Sequence, residues 1–219
     1  MNTGIPEIDN ARATCIVGSD ECGYGSLAGP LVVCAVATPC DWPGEPDVMD
    51  SKDLKSRLRR EAVYERHFKP DGFPMNLVVV EPEEIDAKGV RNALKEAHRK
   101  AVEGTFWRLA YPPIIVVDGN MDCGIEGAHY LPKADSLVPA VSLASIIGKV
   151  THDRIMVELD KKYPGYGFAQ HVGYDTPQHR EALNRLGPCP VHRRSYSPVR
   201  HAAEAHSVAP TPWDPDSWT

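Results

Sequence analysis

Two apolar runs set the terms on which this chain can fold. "TCIVGSD" (14–20) and "LVVCAVATP" (31–39) are rich in β-branched and small apolar residues, with the Gly-rich stretch "ECGYGSLAG" between them. Runs of that length, bounded by turn residues, read as two paired strands, so a sheet begins here. Further strands are expected at "MNLVVVEP" (75–82) and "PIIVVDG" (113–119). The latter is apolar almost throughout, as in a strand buried on both faces, and it stops at Asp118.

Helical periodicity fills the intervals. "DSKDLKSRLRREAVYERHF" (50–68) spaces Leu54, Leu58, Ala62 and Val63 along one face, with Lys and Arg largely on the other. Residues 83–109 carry Ile85, Val90, Leu94, Ala97, Ala101 and Leu109 at helical intervals, with Gly89 as an early break. Residues 136–163 read as a long helix with Pro139 in its first turn, and "TPQHREALNRLG" (176–187) as a short one. In the short helix Thr176 suits the N-cap, Pro177 the first helical position, and Gly187 the end. Residues 201–219 are rich in Pro, Ser and Ala and lack periodicity, so the expected domain is 1–200, followed by a disordered tail at 201–219.

At 219 residues, 42% hydrophobic and 25% charged, the chain suits one globular domain that buries about 70% of its unfolded surface. Its longest apolar run, "LVVCAVA", is too short to span a bilayer, and the polar start lacks a signal-peptide layout, so the expected location is the cytoplasm with no membrane contact. The six scattered cysteines fit neither a zinc site nor a disulfide framework, and free thiols are expected. A net charge of −6 argues against coating nucleic acid by bulk electrostatics, so any such binding must use local patches.

The acids carry the chemistry. Asp20 and Glu21 end the first strand, Asp118 ends a later one, and Asp135 precedes the long helix. Functional side chains gather at strand ends in α/β sheets, where loops are free to carry them. Four clustered carboxylates repel one another and persist cheaply only around positive charge. Oxygen-only donors suit Mg²⁺ or Mn²⁺ better than zinc, and paired hard cations roughly 3.5–4 Å apart serve in-line attack on a phosphodiester. Each acid also has an ordinary reading. Asp-Glu pairs occur at solvated turns, Asp118 could cap its "DG" turn, and Asp135 could serve the dipole of the following helix. What favours a site is the set taken together, with Gly23, Gly25, Ala28 and Gly29 clearing side chains from the neighbourhood.

The stretches "GSDECGYGSLAGPLVVCAV", "DSKDLKSRLRR", "IIVVDGN", "KADSLVPAVSLASIIGKVTHDRIM", "YPGYGFAQHVGYDTPQH" and "LGPCPVHRRSYSPV" together resemble the type 2 ribonuclease H family, in that family's order, over about residues 14–199. The resemblance implies an α/β, RNase H-like fold with a mixed central sheet flanked by helices. It also implies endonucleolytic cleavage of RNA in RNA/DNA hybrids and of ribonucleotides embedded in DNA duplexes, leaving 5′-phosphate and 3′-hydroxyl ends. The family's metal ligands map onto Asp20, Glu21, Asp118 and Asp135, with two Mg²⁺ or Mn²⁺ ions expected. Backbone groups of Gly23, Tyr24 and Gly25 are implied to read the ribose 2′-hydroxyl, and Tyr174 to pack on the sugar. Lys52, Arg193 and Arg194 are candidates for phosphate contact. His171 and His192 are expected to be structural and Asp153 an ion-pair member. A monomer is expected, without a sliding-clamp peptide in the tail.

The chain departs from the family pattern in the turn, where the usual central Arg or Lys is Tyr24 and Cys22 stands where alanine is common; Val172 likewise replaces a usual lysine. The extra C-terminal helical segment of some members is expected to be missing. Two alternatives stand beside an active ribonuclease: a non-catalytic hybrid-binding protein on the same fold, suggested by the altered turn and opposed by the intact acids, and an unrelated metal-dependent DNA nuclease or resolvase of RNase H-like architecture, opposed by the "GYG" turn and the context of Tyr174.

Overall fold

A computed structural model describes residues 3–9, 15–49, 56–109 and 111–207. In chain order the elements are α1 (Pro6–Asp9), β1 (Cys15–Cys22), β2 (Leu31–Pro39), α2 (Pro46–Met49), α3 (Arg57–His67), β3 (Met75–Val80), α4 (Pro82–Lys88) and α5 (Val90–Glu103). Then come β4 (Ile114–Asp118), β5 (Ala128–Leu131), α6 (Pro139–Lys162), α7 (Phe168–His171), α8 (Pro177–Leu186) and α9 (Ser197–Ser207). The five strands form one mixed sheet in the order β3-β2-β1-β4-β5. The β1–β2 and β2–β3 pairs are antiparallel, whereas β1–β4 and β4–β5 are parallel. The expected α/β architecture is therefore present.

Alternation along β1 and β2 sends successive side chains to opposite faces, and both faces are apolar. On one side Val17, Val33 and Ala35 pack on Ala93, Ala97 and Ala101 of α5. On the other, Cys34 and Val36 meet Leu143, Ala144 and Ile147 of α6, with Val63 and Tyr64 of α3 behind them. Side chains buried this fully contribute on the order of 1.5–3 kcal/mol each for the larger aliphatics. Gly18 lets α6 come close, since a Cβ there would stand 2.3 Å from the Val141 amide nitrogen.

Local signals behave as the sequence suggests at several points. Gly89, at φ 77°, separates α4 from α5. The Thr176 side chain accepts from the His179 amide at 3.1 Å, with Pro177 next and Gly187 after the last turn. All six cysteines are free thiols. Among the described residues no helix is long and apolar enough to cross a membrane.

Two expectations need correction. Residues 201–207 are not part of a disordered tail: they complete α9, which buries Val199 and Ala202 against Leu27 and Leu183. His206 Nε2 also meets the Asn184 carbonyl at 2.9 Å, tying the helix end to α8. Residues 208–219 lie outside the described residues. In α3 the buried face is Val63, Tyr64 and His67, whereas Leu58 is 81% exposed and Ala62 is exposed too. The Tyr64 and His67 rings, which the apolar count passed over, supply that face.

Candidate active site

Parallel pairing of β1 with β4 sets Ser19 opposite Val117, so Asp20 and Asp118 leave the sheet side by side at its carboxyl end. Asp20 is buried; its Oδ1 accepts from the Glu21 amide at 2.8 Å, and its carboxyl also bonds the Ser145 side chain on α6. Burial, then the charges of Glu21 and Asp118, push the Asp20 carboxyl up to about 8. Glu21, one residue on, points to the opposite face, toward α5, where its Oε2 lies 3.4 Å from His98 Nε2.

Asp118 does not simply cap its own turn. Its Oδ1 accepts from the Ala134 amide at 2.6 Å, and its carboxyl also meets the Asp135 amide. β5 makes this possible: it runs parallel to β4 with Leu131 opposite Asp118, delivering the 3₁₀ turn Ala134–Ser136 beneath that carboxylate. Asp135 therefore stands next to Asp118, and its backbone carbonyl accepts from the Ser142 hydroxyl in the first turn of α6. Burial and then the Asp135 charge raise the Asp118 carboxyl, with Glu21 adding to the same shift.

The four sequence-predicted acids thus form one electrostatic group. Among the described residues, however, no three His, Cys, Asp or Glu side chains stand as a closed cage for an ion, since Asp20 and Glu21 leave β1 on opposite faces. Glu21 and Asp118 open onto a cleft of about 310 Å³, lined also by Tyr24, Arg91, His98 and Asn120.

The glycine turn lies directly beside the acids. Gly23 has φ 86°, and a Cβ there would meet His152 Nε2 at 2.6 Å and the Pro30 carbonyl at 2.8 Å, so the position requires glycine. Its amide donates to the Tyr174 hydroxyl at 3.3 Å, while the Leu27 amide donates to the Gly173 carbonyl at 2.8 Å. Tyr174 is held against the turn in this way, with Lys149 Nζ 5.6 Å from its ring centre. Tyr24 itself is exposed, and Gly25 has open space around it.

Arg193 needs correction as a phosphate contact. Its side chain is wholly buried and donates from Nε to the Gly29 carbonyl (3.0 Å), from Nη1 to the Tyr24 carbonyl (3.0 Å) and from Nη2 to the Pro30 carbonyl (2.9 Å). Tyr196 completes the brace, accepting from Arg193 at 3.1 Å and donating to the Tyr24 carbonyl at 2.8 Å. Arg194 is exposed, with its amide fixed on Asp86 at 2.7 Å. Lys52 lies outside the described residues.

The residues expected to be structural are so placed. Asp153 pairs with Lys149 at 2.7 Å and with Arg60 at 3.8 Å. His171, His179 and His192 pack around Phe168, with His179 Nε2 and His192 Nε2 3.1 Å apart. Sequence reasoning missed His98 and Arg91. The available signal for His98 was a histidine set within the apolar stripe of Leu94, Ala97 and Ala101.

A mixed sheet with acids at the ends of adjacent parallel strands, and a glycine turn beside them, defines an RNase H-like hydrolase. The chain belongs to the ribonuclease HII family, whose pattern it matches over residues 17–199, and it is an endoribonuclease of RNA/DNA hybrids. It is 40% identical over 192 residues to the ribonuclease HII of Burkholderia ambifaria, covering 86% of this chain and 85% of the relative. The crystal structure of ribonuclease H2 from Pyrococcus horikoshii is similar with a TM-score of 0.70 at 27% identity, covering 89% of this chain and 99% of that one. The ribonuclease HII of Archaeoglobus fulgidus, solved in complex with PCNA, gives 0.63 at 30% identity over 83% of this chain and 94% of its own.

Proposed function

We propose that Asp20, Glu21, Asp118 and Asp135 hold hard divalent cations, Mg²⁺ or Mn²⁺, with two the expected number, and that hydrolysis there leaves 5′-phosphate and 3′-hydroxyl ends. The supporting observation is the mutual electrostatic coupling of these acids at the ends of β1 and β4, with Asp20 buried among them and pushed up to about 8. Carboxylate oxygens are hard donors of the kind such cations take, and a cation is the compensating charge this group calls for. Bound cations would supply Lewis acidity for attack on the phosphodiester.

The chain's own residues do the rest. The amides of Ala134 and Asp135 fix the Asp118 carboxylate, so its free edge faces the cleft. The turn Gly23–Tyr24–Gly25, pinned from beneath by Arg193 and Tyr174, offers backbone groups to the ribose 2′-hydroxyl. Tyr174 packs on the sugar at the RNA-to-DNA step, and Arg194 with Lys52 contacts phosphate. Single ribonucleotides embedded in DNA are substrates on this reading, as are uniform hybrids.

The test compares cleavage of a duplex with one ribonucleotide, a uniform RNA/DNA hybrid and an all-DNA control, with and without chelator, for the wild type and Asp118→Asn. Asp118→Asn should lose at least about 100-fold in turnover while keeping its fold. Chelator-resistant cleavage, or a fully active Asp118→Asn, would overturn the reading.

A further inference from the structure

We propose that His98, steadied by Ser19, is a positioning residue that holds the Glu21 carboxylate toward the cleft it shares with Asp118; the inference deepens the reading of the four acids and rests on it. The inward face of α5 carries Ala93, Leu94, Ala97, Ala101 and Val102, and His98 stands among them, 1% exposed. A polar ring placed there is costly unless its nitrogens find partners. Both do: Nδ1 lies 2.9 Å from Ser19 Oγ, and Nε2 lies 3.4 Å from Glu21 Oε2. Ser19 and Glu21 are two residues apart on β1, so they share the face that α5 covers.

Hydrogen counting gives the contact a direction. Ser19 has one hydroxyl proton and two acceptors in range, His98 Nδ1 and the Cys34 carbonyl at 3.1 Å. With the hydroxyl turned to Nδ1, the neutral ring carries its own proton on Nε2, aimed at the carboxylate. With the proton on Nδ1 instead, a nitrogen lone pair would face a carboxylate oxygen, which is repulsive. Of the two neutral tautomers, the one that runs from Ser19 to His98 to Glu21 is thus the relay in which each of the three groups is matched. At 3.4 Å the last contact lies at the outer edge of hydrogen bonding, yet it fixes Glu21 beside α5 at the edge of the cleft. Partners that orient a metal-binding carboxylate typically change affinity or turnover by roughly 10–100-fold.

The experiment uses the full chain with Ser19→Ala, His98→Gln and His98→Ala. Mn²⁺ binding to the protein without duplex is followed by loss of the free-ion electron paramagnetic resonance signal, alongside kcat and KM on a uniform hybrid. His98→Ala should weaken Mn²⁺ binding and lower kcat by roughly 10–100-fold with KM for the duplex unchanged, and Ser19→Ala should do so by several-fold. His98→Gln, which returns a donor to the Glu21 side, should recover most of the loss. Nitrogen-15 spectra should place the His98 proton on Nε2 in the wild type and shift it in Ser19→Ala. Should His98→Ala fail to fold, the other two variants decide. Wild-type Mn²⁺ affinity and kcat in Ser19→Ala, a His98→Gln impaired by about 10-fold or more, or a proton on Nδ1 alone, would overturn the proposal. Asp118→Asn run in parallel separates the two failures: if it still binds Mn²⁺ and cleaves normally, the four-acid reading is at fault.

Discussion

Replacing Asp20 by Asn should stabilise the chelator-treated protein at high pH while abolishing its activity. Burial, with Glu21 and Asp118 close by, raises this carboxyl from 3.8 to about 8. The folded state then holds the proton more tightly than the unfolded chain does. Its contribution to stability is fully present below about pH 4 and is lost as the pH climbs toward 8. A shift of about four units, at about 1.4 kcal/mol each, sets a ceiling of roughly 6 kcal/mol. Water reaching the strand ends and reorientation of the side chain screen part of this, leaving about 2–3 kcal/mol at pH 9. Asn matches the neutral acid in shape, can still accept from the Glu21 amide, and never ionises. The gap between variant and wild type should therefore be near zero below about pH 4, open as the pH rises, and reach about 4–12 °C in Tm at pH 9. Calorimetry in EDTA at pH 4, 6 and 9 measures it, and Mg²⁺ added at pH 9 should raise the wild type more than the variant. A gap that ignores pH, or a variant less stable at pH 9, would refute the reasoning.

Two further substitutions address the turn. Tyr24→Arg places a cation at the cleft and should tighten hybrid binding by about 1–3 kcal/mol, with the salt dependence steeper by about one unit of slope. It should also change the ratio of rates on a single embedded ribonucleotide and on a uniform hybrid. Titrations at several salt concentrations and paired cleavage assays check this, and unchanged affinity and ratio would discard the idea. Arg193→Lys replaces a three-carbonyl fork by a single ammonium and should cost about 3 kcal/mol or more, a fall in Tm of about 6–12 °C. Thermal unfolding reads it out, and an unchanged Tm would show that the fork adds nothing to stability.

How far the site could be read from sequence depended on whether local pattern or long-range pairing decided each feature. Strand ends are local, so Asp20 and Asp118 could be gathered from the apolar runs that stop at them. The Gly89 break and the Thr176 cap are local too. The parallel pairing of β1 with β4 and the short β5 are not, and they decide which acids are neighbours. α9 was hidden because its few apolar residues sit in a Pro-, Ser- and Ala-rich window, and Val199 and Ala202 gain meaning only against Leu27 and Leu183. His98 was hidden for the opposite reason: a stripe of apolar residues around it suggested core, and its partners lie on a strand nearly eighty positions earlier.

Arg193 shows why a charged residue in a nucleic-acid-binding chain need not touch phosphate. A guanidinium presents five donors in a fixed plane, and here the carbonyls of Tyr24, Gly29 and Pro30 take up that plane from inside the protein. Carbonyls carry no side-chain identity, so the brace holds the turn's backbone whatever residue occupies position 24. Gly23 bears the strained φ, and the Tyr24 side chain projects outward to line the cleft. The turn therefore separates two tasks that its sequence merges. Its shape is set from beneath by Arg193, Tyr174 and Tyr196. Its outward chemistry is set by one side chain, Tyr24. That separation is why exchanging Tyr24 should move affinity and substrate preference without moving the backbone, whereas exchanging Arg193 should disturb the backbone itself and lower stability.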